Sequence, residues 1–153
     1  MVACTVPPPE FTKPKRLLVA DSNQIAWARA LEPSDIRVSL GLSEEAPTFE
    51  VIEVLKGDVP SPFTLPIGSY AALDTNPALI GDDFDGHREG NLLALYYSRS
   101  FNNSLCEMVP VFVPGESYLI FLDHPHWSAY EIVRSEDDLW LQKVRELVRE
   151  QGG

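Results

Sequence analysis

The chain has 153 residues, 44% hydrophobic and 23% charged, enough for one domain with a core of its own. Its 12 Lys and Arg stand against 23 Asp and Glu, a formal net charge of −11. This argues against nucleic acid as a partner, because phosphates would be repelled over most of the surface. No apolar run approaches the roughly 18 residues a membrane-spanning helix needs; Met108 to Val113 is short and broken by Pro110.

The first residues, VACTVPPPEF, place Cys4 beside three prolines and read as an extended arm over 1–11. Thr12 and Pro14 then form a helix start, Thr12 as cap and Pro14 in the first turn, where its missing N–H is harmless. That helix runs through Leu17, Leu18 and Val19 to about Asp21. The basic cluster Lys13-Pro14-Lys15-Arg16 reads as its solvated face. Gln24 to Leu31 alternates Ile25, Trp27 and Arg29 with Ala26, Ala28 and Ala30, a strand with one face of small residues.

Ile36 to Leu42 alternates in the same way and predicts a second strand. Thr48 to Lys56, TFEVIEVLK, is the strongest strand signal and is closed by Gly57-Asp58. It carries Phe49, Val51 and Leu55 on one face and Ile52 and Val54 on the other, as expected between a barrel interior and a covering element. Phe63 to Ile67 is a shorter strand between prolines. Residues 68–105 are hard to read; Asn91 to Ser98 fits a strand or a helical turn.

Ser117 to Leu122 is a buried strand, and Ala129 to Val133 pairs with it across His124-Pro125-His126. Ser135 and Asp138 form a capping-box-like start to a C-terminal helix over 135–150. Its stripe is Leu139, Trp140, Val144, Leu147 and Val148. The expected fold is a single domain over 1–153, mainly β with flanking helices. Several modest strands with a helix near each end favour an OB-like, five-stranded Greek-key barrel, because closure removes exposed edges.

Enzyme and metal chemistry find little footing. Asp82-Asp83-Phe84-Asp85-Gly86 has the look of a calcium loop but lacks the bidentate Glu, Ala94 standing at the twelfth position counted from Asp83. His87 near Asp85 suggests acid–base or metal chemistry, although a hydrogen-bonded loop histidine is the simpler reading. His124 and His126 have no third ligand in view, and no nucleophile elbow or phosphate loop is present. No cofactor and no bound metal are expected, and the chain reads as a non-enzymatic protein.

Cys4-Thr5-Val6-Pro7-Pro8 resembles the start of mature tissue inhibitors of metalloproteinases. Residues 20–30, the Phe49 to Gly57 strand, Asn103-Ser104-Leu105-Cys106 and Glu116 to Phe121 are similar to further segments of that family. The chain also resembles bacterial netrin/inhibitor-like proteins in the order Gly86-His87-Arg88, Cys106-Glu107, Tyr118 to Phe121 and Trp140-Leu141. The resemblance implies an OB-like barrel in an exported protein whose role is to bind a protein partner, possible targets including a metalloprotease. It also implies a Cys4–Cys106 disulfide, the alternative being two unrelated thiols; closing so long a loop would stabilise by roughly 4.7 kcal/mol in the chain-entropy view.

In the inhibitor family the first cysteine's α-amine and carbonyl chelate the protease zinc. Carried over, Cys4 is the chelator, Thr5 the pocket residue, and Ser104-Leu105 the neighbouring ridge. The family's third-position cysteine is missing here, Val6 following Thr5 directly, and Met1-Val2-Ala3 covers the amine. Met1-Val2-Ala3 is also far too short for a signal peptide, yet a small Ala3 just before Cys4 fits a chain beginning close to a cleavage site. A further alternative makes Val2-Ala3-Cys4 the tail of a lipobox, with Cys4 acylated. The intact mass of natively exported protein separates these: two protons below the reduced mass supports the bridge, and a diacylglycerol adduct overturns it.

Overall fold

The computed structural model describes residues 12–81, 84, 86–87, 109–124 and 126–152. Helix α1 spans Lys15–Asp21. Pro14, not Thr12, occupies its N-cap, and the Pro14 carbonyl accepts from Leu17 and Leu18 N at 2.9 and 3.0 Å. At its other end the β-sheet supplies a cap: Lys56 Nζ donates to the Val19 and Ala20 carbonyls at 2.9 and 3.1 Å, a cation where the last carbonyls want one.

Strand β1 is Ile25–Ala30, β2 is Thr48–Lys56, β3 is Phe63–Thr64, β6 is Ser117–Phe121 and β7 is Tyr130–Ile132. They form one five-stranded antiparallel sheet in the order β3-β2-β1-β6-β7. β1 sits at its centre, and all its residues but Arg29 are buried. Both faces of β1 are therefore covered, beyond the single close-packed face that its alanines suggest.

β4 (Ser69–Tyr70) and β5 (Val111–Phe112) pair in parallel as a small second sheet, an arrangement no periodicity announces. A one-turn helix α2, Pro77–Ile80, lies between them in sequence. Helix α3, Leu139–Glu150, packs on α1 and β2 and buries Trp140, Leu141, Val144, Leu147 and Val148. It begins four residues later than the expected 135 because Asp138 itself is the N-cap, its carboxylate accepting from Trp140 and Leu141 N at 2.8 and 3.1 Å.

The mainly β class holds, but the closed barrel does not appear: β3 and β7, the outer strands of the sheet, are not paired with each other among the described residues. Three strand expectations also change. β3 is two residues long, where Phe63 to Ile67 reads as a strand. On β2, Ile52 and Val54 are 43% and 42% exposed, so the face expected under a covering element is open. Residues 36–42 are not a strand but a 3-10 turn, Ile36–Val38, continued by turns.

The reason is local: Asp35 accepts from Arg37 N at 3.0 Å and grips its guanidinium with both oxygens, and Ser39 Oγ donates to the Ile36 carbonyl at 2.9 Å. Side-chain bonds of this kind give the backbone an alternative to a ladder.

The core is aromatic at its centre. Phe49 is fully buried and stacks on Phe63 at 5.3 Å, with Phe112 and Tyr118 edge-on at 4.9 and 6.2 Å. Gly57 closes β2 at φ +75°, and a Cβ there would lie 1.9 Å from the Asn23 carbonyl oxygen, so only glycine fits. Phe49→Ala should lower unfolding free energy by about 3–5 kcal/mol in urea titration, and Gly57→Ala should lower it by more than about 1 kcal/mol.

Candidate functional site

The site expected from the resemblance, Cys4, Thr5, Ser104, Leu105 and Cys106, lies outside the described residues, as do Asp82, Asp83 and Asp85 of the acidic loop. His87 is described, and it lies at the centre of a buried cluster of charges. Its Nδ1 donates to Asp138, at 2.9 Å from Oδ1 and 2.7 Å from Oδ2, and its Nε2 donates to Glu131 Oε1 at 2.9 Å. Glu131 is 1% exposed and Lys15 3%, and their charged groups lie 3.8 Å apart. The Lys15 ammonium also sits 4.8 Å above the Trp140 ring, a cation–π placement.

Each member comes from a different element, and each has a local reason to be there. Lys15 opens α1, Glu131 is the middle residue of β7, Asp138 caps α3, and His87 lies on the loop after Gly86. Among the described residues the cluster's two carboxylates, one ammonium and one imidazolium balance in charge, and buried ions need such compensation. Burial alone would push His87 down, but the hydrogen bonds and charges of Asp138 and Glu131 outweigh it and raise its pKa to about 9. Burial lowers the pKa of Lys15, and Glu131 partly offsets this.

His87 and Asp138 themselves line a cleft of about 220 Å³, together with Phe84, Gly86, Arg134, Ser135 and Asp137. Arg134 is committed within it: it binds Glu116 at 3.0–3.2 Å, donates to the Phe84 carbonyl at 2.8 Å and lies 5.6 Å over the Phe84 ring.

The chemistry available to this cluster follows from its bonds. With both imidazole nitrogens donating to carboxylates, His87 has no lone pair for a metal or for proton abstraction. Among the described residues no three His, Cys, Asp or Glu side chains are grouped to hold a cation. The arrangement is a latch that fastens the His87 loop across β7 and the start of α3.

Of the two other histidines that the sequence singles out, His124 and His126, the second behaves differently from His87. His126 is buried: its Nδ1 accepts from Ser128 N at 2.9 Å and its Nε2 donates to the Lys13 carbonyl at 2.7 Å. Burial lowers its pKa to about 4, so it is neutral and pins the entry to α1 onto the β6–β7 connection.

The sequence reads His87 as a hydrogen-bonded loop histidine without naming its partners; the described partners are Glu131 and Asp138. It also reads Lys15 as solvated, which the structure corrects. The usable signal was Glu131, a lone charge inside the apolar strand Ala129-Tyr130-Glu131-Ile132-Val133, since a buried carboxylate requires cationic or hydrogen-bonding partners.

The His87 pKa is raised above its ordinary 6.5 to about 9. The latch therefore contributes its full stability below about pH 6.5 and loses it as pH rises through about 9. Unfolding measured from pH 6 to 10 should show that decline in the wild type and not in His87→Gln. His87→Ala should cost about 3–5 kcal/mol, because it leaves the buried carboxylates uncompensated. No known protein family, curated protein or solved structure matches this chain.

Proposed function

We propose that the chain is an exported, non-enzymatic protein-binding module that meets its partner through Ile36, Leu40, Leu42 and Leu73. The observation that carries this reading is the exposure of those side chains, at 80%, 53%, 71% and 80%. They stand on two loops that are bonded to each other: Leu73 N donates to the Ser39 carbonyl at 2.8 Å. Large apolar side chains clustered at the surface mark interaction sites, and their burial returns roughly 25 cal/mol for each Å² removed from water.

The loops are already ordered, by the Asp35 clamp on Arg37, by Leu42 N donating to the Arg37 carbonyl at 3.0 Å and by Val38 buried beneath. A pre-ordered surface loses little entropy on binding.

A second reading, inhibition of a zinc metalloprotease through Cys4 and the Ser104-Leu105 ridge, draws support from the strand order. The fourth strand of the main sheet, β6, lies beside the first, β1. That is the order of a Greek key and fits the frame that the inhibitor resemblance implies. The chain produced to begin at Cys4 should then inhibit a zinc protease that the chain beginning at Met1 does not; equal inactivity of both across a panel removes this reading.

For the first reading, a photo-crosslinking residue placed at Leu42 or Leu73 in cells should capture one defined protein. The same residue at Arg149, on the far end of α3, should not. Ile36→Asp/Leu40→Asp should abolish capture from Leu42 and Leu73 while leaving stability within about 0.5 kcal/mol, as surface changes usually do. The reading fails if neither position captures a protein, or if Arg149 captures the same products.

A further inference from the structure

We infer that the partner of the Ile36–Leu42/Leu73 surface is a protein segment whose apolar face is rimmed by Lys and Arg, a cationic amphipathic segment. This rests on the protein-binding reading above and adds the chemistry of the partner. The reason is the charge around the apolar side chains. Residues 31–45 and 71–75 carry Glu32, Asp35, Glu44, Glu45 and Asp74 against Arg37 as the single cation. Arg37 is spent on Asp35, with Nη2 2.8 Å from Oδ2.

Two of the carboxylates are internally engaged, Asp35 by Arg37 and Glu45 by Ser34, which donates through N at 2.9 Å and Oγ at 2.8 Å. Those hydrogen bonds hold both groups below the usual carboxylate range, so they are ionised at neutral pH. Glu32, Glu44 and Asp74 are exposed, Asp74 next to Leu73 and Glu44 two residues from Leu42 in the chain. An interface with an apolar middle and a charged rim draws its specificity and its encounter rate from the rim.

The same carboxylates argue against other occupants. A second copy of this chain would bring an identical acidic rim against the first, placing like charges face to face. An anionic bilayer would be repelled by the overall charge of −11. A cationic protein segment satisfies both the leucines and the carboxylates.

The test uses two labelled helical peptides of identical pattern, one of Leu and Lys and one of Leu and Glu. They are titrated into the full chain and into two variants. Ile36→Ser/Leu73→Ser removes apolar surface and keeps the charge, and Glu32→Gln/Glu44→Gln/Asp74→Asn does the reverse. The Leu/Lys peptide should bind saturably at one per chain, more weakly by about tenfold or more in each variant, and the Leu/Glu peptide should not bind.

Equal binding of the Leu/Lys peptide to all three proteins would show attraction to net charge alone and overturn the inference. So would preference for the Leu/Glu peptide, patch-dependent dimerisation in sedimentation, or patch-dependent binding to anionic vesicles. If the cross-linked partner of Leu42 and Leu73 presents no cationic segment, the inference fails while the binding reading stands. If no cross-link forms, both fail.

Discussion

The ion cluster at His87 is the constraint on which the rest of the structure depends. Lys15, His87, Glu131 and Asp138 belong to α1, the loop after Gly86, β7 and the cap of α3, and each is acceptable in the interior only because the others are there. Removing charges in pairs could leave a stable core, whereas removing one leaves an ion without compensation, which is far more costly. The cluster therefore makes four separate pieces of chain mutually necessary. It also explains why Asp138 rather than Ser135 starts α3: the same carboxylate that accepts the helix's first N–H groups accepts the imidazolium.

This latch and the apolar surface are opposite in character. In the latch His87 is bonded to Asp138 and Glu131, and its neighbour Arg134 is likewise held by Glu116 and the Phe84 carbonyl. The 36–42 and 71–75 loops are the reverse, internally bonded through the backbone and short polar side chains while their leucines and Ile36 face water. Polar satisfaction without apolar burial is the state in which a loop is rigid and still has free energy to gain from a partner. Between the two lies the sheet, whose central strand β1 is buried on both faces and whose outer strands remain unpaired with each other among the described residues.

How far each feature could be read from the sequence follows from the range of the forces involved. β2 was legible to the residue because its alternation and the Gly57 stop are local, and α3 was legible through its apolar stripe. The 36–42 segment shows where periodicity misleads: Ile36, Val38, Leu40 and Leu42 alternate as a strand should, yet Asp35 and Ser39 bond the backbone locally and a turn results. β4 and β5 were not legible because parallel two-residue pairing joins positions about 40 apart, with no pattern within either segment. At the site, His87 was visible as a residue of interest, but its partners Glu131 and Asp138 are 44 and 51 positions away.

By itself, the sequence determined what near neighbours decide: the mainly β character, the two longer helices, the run of β2, the net negative charge and the absence of a long apolar span. Short-range periodicity, turn chemistry and net charge carry those properties without reference to the rest of the chain. Only the tertiary structure decided that the sheet stays open between β3 and β7, that Lys15 is buried rather than solvated, and that His87 is an imidazolium locked between two carboxylates. It also decided that Ile36, Leu40 and Leu42 face water, as Leu73 does, while Val38 is buried. Each of these depends on which distant groups share one low-dielectric volume, and a charge or a leucine takes its role from that company rather than from its neighbours in the chain.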